Sequence, residues 1–422
     1  MIRKAEPFDN MQFLYGTAHD PFIHCYMELS DHIDEALLKE AVMLTLPAVP
    51  QIGSCYHEDT KYPVWEQIEY KPREIVELIA CSSRSEDIIA DCLSYRIDCR
   101  KGPQLKLFIL RYEKTDSLCL IMNHMICDGT GYKEYLYLLA KVYTRLCSDH
   151  LSDLKELPRS TDQLFNGYSW KDKLALLMSE YHASRKEQQP ELHFEGDDQN
   201  PFFVTHYIGK EKFKSILLYA KERKVTVNDL LLTAYIRMLH RETGMERIII
   251  PCPVDLRRYL SDPEHQGICN LTSNYFCDIQ IQNEDAFPDV LEQISAQMQA
   301  QKENNNCLKA VLFLNICFEF LKFSKIQKNF EKLFTVPRIS YTNFGVIDRR
   351  KVRFGTIAAT DLFLTGAVKH IPYFQMAVST FDDICTLSSN LYGTQKDKEQ
   401  IKSYLEEIAE DILLEAEGVV IA

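Results

Sequence analysis

The sequence predicts a mixed α/β protein, an α+β arrangement of mixed sheets, organised as two lobes. Three observations carry this. The chain has 422 residues, longer than the ~100 to 200 of a usual domain. Short apolar runs that read as buried strands alternate with segments whose apolar residues recur every three or four positions. Between about His150 and Asn200 the composition turns polar and charged, with RKEQQPELHFEGDDQN as its least core-like part. The boundary belongs there, giving a first lobe over 1–160, a bridging segment over 161–200 and a second lobe over 201–422.

The elements follow in order. FIHCYMELSDHIDEALLKEAVMLTLPAVPQIGSCY runs from strand to amphipathic helix to a second extended run after Pro50. A helix at about Ser85 to Tyr95 precedes the strands QLKLFILRY and SLCLIMN, which the turn-like EKTD joins. KEYLYLLAKVYTRL is helical, and a further helix covers Trp170 to Ala183. The second lobe opens with a strand over 203–208, helices over 211–222 and 228–242, and the apolar strand RIIIPCPV. Thr226 and Asp229 have capping-box spacing before LLLTAYIRML, and capping accounts for Asn228 and Asp229 without a catalytic role. The strand NYFCDIQIQ, helices near 286–302 and 307–324, the strand PRISYTNFG and the pair YFQMAVST and ICTLSSNLYG follow. A polar helix from about Lys396 to Glu415 closes the chain.

Bulk properties exclude several classes. A net charge of −13 repels phosphate backbones, so nucleic acid is not an expected partner. Local basic clusters still leave room for a polyphosphate cosubstrate, because exposed charges act only over ~8 to 10 Å. The 14 cysteines are scattered with no C-x-x-C pair, which reads as free thiols in a reducing compartment. No signal-peptide core or ~20-residue apolar run is present, so a cytoplasmic protein without a membrane span is expected. The 12 histidines show no H-E-x-x-H and no metal-ligand spacing, and no metal is expected. No G-x-S-x-G elbow supports a serine hydrolase.

One stretch carries chemistry: SLCLIMNHMICDGTGY, Ser117 to Tyr132. His124 falls where a buried strand ends, and Asp128-Gly129 makes the turn into a helix. A neutral imidazole held there has the basicity to take a proton from a hydroxyl or amine near pH 7. Asp128 either orients the histidine or pairs with an arginine to fix the loop, and spacing alone leaves open a plain core or turn role for both. Gly129-Thr130-Gly131 lacks the spacing and Lys-Ser/Thr ending of a P-loop. RRKVR, Arg349 to Arg353, is the densest basic run, suited either to phosphates or to a solvated loop.

HMICDG matches the HxxxDG motif of the coenzyme A-dependent acyltransferase superfamily, which includes chloramphenicol acetyltransferase, alcohol acetyltransferases and the condensation domains of peptide synthetases. IDEALLKEAVMLTLPAVPQIGSCY resembles the family's first helix and strand, VTVNDLLLTAYIRML its Asn-Asp helix start, PVDLRRYL its Pro-Val-x-Leu-Arg strand end and YTNFG its Ser-Asn-x-Gly segment. The ordered set covers nearly the whole chain. The resemblance implies two chloramphenicol-acetyltransferase-like lobes forming a V, with His124 at the centre of a tunnel between them. His124 would be the general base of acyl transfer from an acyl-coenzyme A or carrier-protein thioester to a hydroxyl or amine. Asp128 would be structural, orienting the loop with Gly129, and Arg257 of PVDLR its partner. Asn343 either lines the tunnel or caps a turn, and Arg349 and Arg350 are the candidate contacts to coenzyme A. No cofactor would be permanently bound, acyl-coenzyme A being a cosubstrate, and a monomer is expected. Condensation domains carry a second histidine where this chain has Asn123, and the plant enzymes' Asp-Phe-Gly-Trp-Gly is not reproduced in YTNFGVID or RKVRFGTI. These departures favour an O-acetyltransferase of the alcohol-acetyltransferase type; the alternatives are a noncatalytic scaffold of the same fold and a stand-alone amide-forming condensation enzyme.

Overall fold

A computed structural model describes residues 1–16, 19–58, 62–147, 154–179, 189–263, 266–334 and 336–420. The His124 segment leaves the largest sheet. Its strands are β2 (Phe22–Leu29), β5 (Val76–Ala80), β6 (Leu105–Arg111), β7 (Asp116–Asn123), β12 (Arg353–Phe354) and β13 (Ile357–Thr365), in the spatial order β12-β13-β2-β7-β6-β5. Both faces of the central strands are covered, which is why β6 and β7 read as nearly continuous apolar runs rather than alternating ones, broken in β6 by Lys106, which pairs with Glu77 at 2.7 Å. Ile23, Leu107, Leu120 and Met122 meet α2 (Glu35–Thr45) and α5 (Gly129–Leu146) on one face. Phe22, Tyr26, Phe108 and Ile121 meet α4 (Glu86–Leu93) on the other. The expected strand-helix-strand opening and the turn at 113–116 are present.

A second core surrounds β8 (Pro201–Ile208), β11 (Ile339–Ile347), β14 (Phe374–Phe381) and β15 (Ile384–Tyr392), ordered β11-β14-β15-β8, and the pair β9 (Arg247–Asp255) and β10 (Thr272–Gln280). Helices α7 (Lys210–Arg223), α8 (Val227–Thr243), α9 (Phe287–Lys302) and α13 (Gln395–Val420) cover it. The Thr226–Asp229 capping box forms as read: Asp229 N–H donates to Thr226 Oγ1 at 3.2 Å and Thr226 N–H to Asp229 Oδ2 at 2.8 Å. The β14–β15 hairpin turns through Asp382 and Asp383 at φ 48° and 63°, left-handed backbone that aspartate tolerates and two-residue hairpins need. α13 is polar in composition, yet Ile401, Leu405, Ile408 and Ile412 bury one stripe of it.

A third, small sheet of β1 (Ile2–Lys4), β4 (Val64–Gln67) and β3 (Ser54–His57) lies near α1 (Pro7–Tyr15), and short helices fill the remainder: α3 (Pro72–Ile75), α6 (Trp170–Met178), α10 (Leu308–Phe320), α11 (Phe323–Lys328) and α12 (Phe330–Leu333). The helix expected over 307–324 breaks at Leu321, whose backbone is extended. That expected over Trp170 to Ala183 ends at Met178, and 180–188 lie outside the described residues. β13 pairs with β2 from Ala359 opposite Leu29 to Thr365 opposite His24, so a segment late in the chain completes the sheet built by the early one. All the cysteines are free thiols, most of them buried. Among the described residues no helix is long and apolar enough to cross a membrane, and no group of three or more metal-ligating side chains gathers.

Candidate active site

β7 ends at Asn123 because its side chain takes over the backbone's role there. Asn123 Oδ1 accepts the Met125 N–H at 3.0 Å, and its amide donates to Gln104 Oε1 at 2.9 Å. The position where condensation domains carry a histidine therefore shapes the turn in this chain. His124 N–H donates to Pro21 O at 2.8 Å, tying the turn to the segment that enters β2.

Side chains distant in sequence then capture the turn's carbonyls. Asn270 Nδ2 donates to His124 O at 2.9 Å and to Met125 O at 3.2 Å. Arg159, itself buried against Asp9, donates to Ile126 O at 2.8 Å. No motif pointed to Asn270 or Arg159: one amide and one arginine in otherwise ordinary segments carry no signal of their own.

Asp128 resolves in favour of the arginine. Its carboxylate receives Arg257 Nη1 at 3.0 Å and Nη2 at 3.1 Å, fork to fork, together with the N–H groups of Gly131 and Leu271, each at 2.8 Å. No hydrogen bond links it to His124. Burial alone would raise its pKa, but the Arg257 guanidinium and the two backbone donors outweigh that and hold it below the usual carboxylate range. Arg257 also donates to Cys269 O at 3.0 Å, so one arginine locks the loop to the strand entry at Leu271. The glycines of the motif have separate jobs. A Cβ on Gly129 would lie 2.7 Å from the Phe344 ring, and one on Gly131 2.7 Å from Cys127 Cβ.

His124 keeps some exposure as a residue, while its Nδ1 is buried with no hydrogen-bond partner among the described residues. Burial lowers its pKa below the usual 6.5; its own backbone carbonyl, Asp128 and Asn270 oppose the shift, and Lys369 adds to it. The imidazole is thus neutral at pH 7. A cavity of about 660 Å³ reaches both of its sequence neighbours, Asn123 and Met125, and Pro21.

Asn343 and Asn228, read separately in the sequence, meet: Asn228 Oδ1 accepts from Tyr341 Oη at 2.9 Å and from Asn343 Nδ2 at 3.2 Å. Asn343 Oδ1 accepts the Gly345 N–H at 2.8 Å, shaping the bulge where β11 shifts register, and Gly345 sits at φ 69°. The next segment docks on α5, with Lys133 Nζ donating to Phe344 O at 2.5 Å. His124, Asp128, Gly129 and Arg257 are thus brought together. Arg349 and Arg350 are not among them. They are exposed in the turn after β11, paired with Asp382 at 2.8 Å and Asp348 at 3.0 Å.

No family model matches the chain. Over 218 residues it is 23% identical to bacitracin synthase 1 of Bacillus licheniformis, a match spanning 49% of this chain and 4% of that much longer protein. The trichothecene 15-O-acetyltransferase TRI3 of Fusarium sporotrichioides superposes with a TM-score of 0.72 at 15% identity, over 98% of this chain and 95% of that one. The first condensation domain of the calcium-dependent antibiotic synthetase, in complex with a substrate analogue, superposes with a TM-score of 0.70 at 14% identity, over 99% and 97%. The chain has the two-lobed mixed α/β fold of that acetyltransferase and that condensation domain.

Proposed function

We propose that the protein is an acyltransferase that moves an acyl group from a thioester to a hydroxyl or amine, with His124 as general base. The observation that carries this reading is a neutral, loop-end imidazole whose neighbouring carboxylate is fully engaged by Arg257. An aspartate bound in that way positions the loop, and the imidazole is left to exchange protons. In the reaction it takes the proton of the attacking hydroxyl or amine as the new bond forms to the thioester carbonyl carbon. When the tetrahedral intermediate collapses, the C–S bond breaks and the imidazolium returns the proton to the departing thiolate. No acyl-enzyme is needed.

The fold supports the reaction class, since an O-acetyltransferase and a condensation domain share it. We take the donor to be acyl-coenzyme A or a carrier-protein thioester and the type to be that of the alcohol acetyltransferases. The cavity at Asn123 and Met125 suits such a donor: Lys328 and Lys332 stand around it, together with Arg96 and Arg100, which pair with Asp20 and Glu58, so that the two lysines are the candidate contacts to phosphates in an otherwise acidic protein. Arg349 and Arg350 suit that role less well, since they lie in the turn after β11 and do not line this cavity. The test is release of free thiol from acetyl- and longer acyl-coenzyme A in the presence of a panel of alcohols and amines. Thiol release that requires both donor and acceptor is expected; no turnover with any pair would remove the proposal.

A further inference from the structure

The mechanism above leaves unused a second set of nitrogens at the same site. Lys369 and His19 face one another as the two residues of an antiparallel bridge, a placement that puts directly opposed side chains on one face about 4.5 to 5.5 Å apart at Cβ. Asp20 N–H donates to Val368 O at 3.1 Å, and two residues on Pro21 accepts the His124 N–H at 2.8 Å. The segment His19 to Pro21 therefore spans from Lys369 to the candidate base. Lys369 is 7% exposed and His19 9%.

None of this positive potential is compensated. Among the described residues no hydrogen bond or ion pair engages the Lys369 ammonium, and His19 Nδ1 is buried without a partner, like Nδ1 of His124. The nearby acids are already taken. Asp20 is held by Arg96 at 2.6 Å and by the Tyr392 hydroxyl at 2.7 Å, and Asp128 by Arg257. His370 stacks on the Tyr392 ring at 4.3 Å and faces Asp198 at 3.6 Å. Burial with no opposing carboxylate lowers the Lys369 pKa to about 7; burial also depresses His19 and His124, and the Lys369 charge adds to both shifts. A buried amine with no counter-ion costs stability. It is suited to a counter-ion that arrives with a ligand.

We propose that Lys369, with His19 beside it, receives an anionic group, a carboxylate carried either by the acyl acceptor or by the acyl chain, at the His124 site. The inference deepens the acyl-transfer reading and rests on it for the identity of the ligand. It also gives His124 a way to sense substrate: neutralising Lys369 removes the charge that adds to the depression burial causes.

Two measurements separate this inference from the reading beneath it. First, protein labelled with ¹⁵N-histidine is titrated with succinate and with the neutral isostere succinamide, with no turnover involved. Succinate is expected to shift the His19 and His124 imidazole resonances and succinamide to leave them in place; Lys369→Met should lose the response and Lys369→Arg keep it. An equal response to both compounds, none to either, or a full response in folded Lys369→Met overturns the site. Second, turnover is compared for lactate against lactamide with acetyl-coenzyme A, and for succinyl- against butyryl-coenzyme A with a common alcohol. A preference of about 10-fold or more for the charged member of one pair, collapsing in Lys369→Met, assigns the carboxylate to acceptor or donor. Equal rates in both pairs overturn the substrate assignment. Absence of thiol release throughout removes the acyl-transfer reading, while the succinate titration still decides the anion site.

Discussion

At the scale of single residues, the best-defined interaction is the Asp128–Arg257 pair, bidentate, with the carboxylate buried and the guanidinium partly buried. Asp128→Asn is expected to cost ~3 kcal/mol of folding stability, because it leaves the guanidinium with only the exposed Asp255, at 3.1 Å, as counter-ion, and Arg257→Ala, which strands the buried carboxylate, about as much or more. Denaturant melts of the double variant should show a loss clearly smaller than the sum of the singles; additive losses would disprove the coupling. The pH dependence has a fixed sign. Asp128 titrates below its unfolded value, so its contribution is complete above the unfolded carboxyl pKa of ~3.9 and is lost as pH falls through the folded one. Asp128→Asn should flatten that part of the acid limb. The pair was legible in the sequence only because PVDLR resembles a family segment, since nothing in residue spacing links positions 128 and 257. Lys369 and His19 were not legible at all: one lysine and one histidine in ordinary segments become a site only when a β-bridge sets them opposite each other.

At the scale of elements, periodicity identified the strands with two covered faces and the long amphipathic helices, and the capping box at Thr226 gave the start of α8. It gave no warning of β13. IAATDLFLT carries a bulge between Ala359 and Asp361 and has no clean alternation, and its place beside β2 depends on a partner more than 300 residues away. The packing of Phe344 on the start of α5 was equally invisible, although YTNFG itself stood out. That contact predicts a specific non-additivity. Gly129→Ala should destabilise by about 1 to 3 kcal/mol through the clash with the Phe344 ring. In a Phe344→Ala background the same change should cost much less. Equal costs by thermal or chemical melt in both backgrounds would show that the ring is not what demands glycine.

At the scale of the whole molecule, the two halves are joined by exchange of chain as well as by side chains. The sheet that carries His124 is completed by Ile357–Thr365, and the His124 turn is held by Asn270, Leu271 and Arg257 from the later half. A fragment of residues 1–160 should expose the β2 edge, aggregate and lack a cooperative melt, whereas co-expression with 161–422 should restore a soluble, cooperatively melting complex. A monomeric fragment with a sharp melt by circular dichroism would contradict this. The central claim is that the assembled site does acid–base chemistry at His124, and the direct measurement is thiol release by His124→Ala alongside calorimetric binding of the acyl-coenzyme A donor. The account predicts turnover lower by ~10² to 10⁴-fold with a nearly unchanged donor dissociation constant, the pattern of a group used in the transition state; a folded His124→Ala that retains full turnover would contradict it.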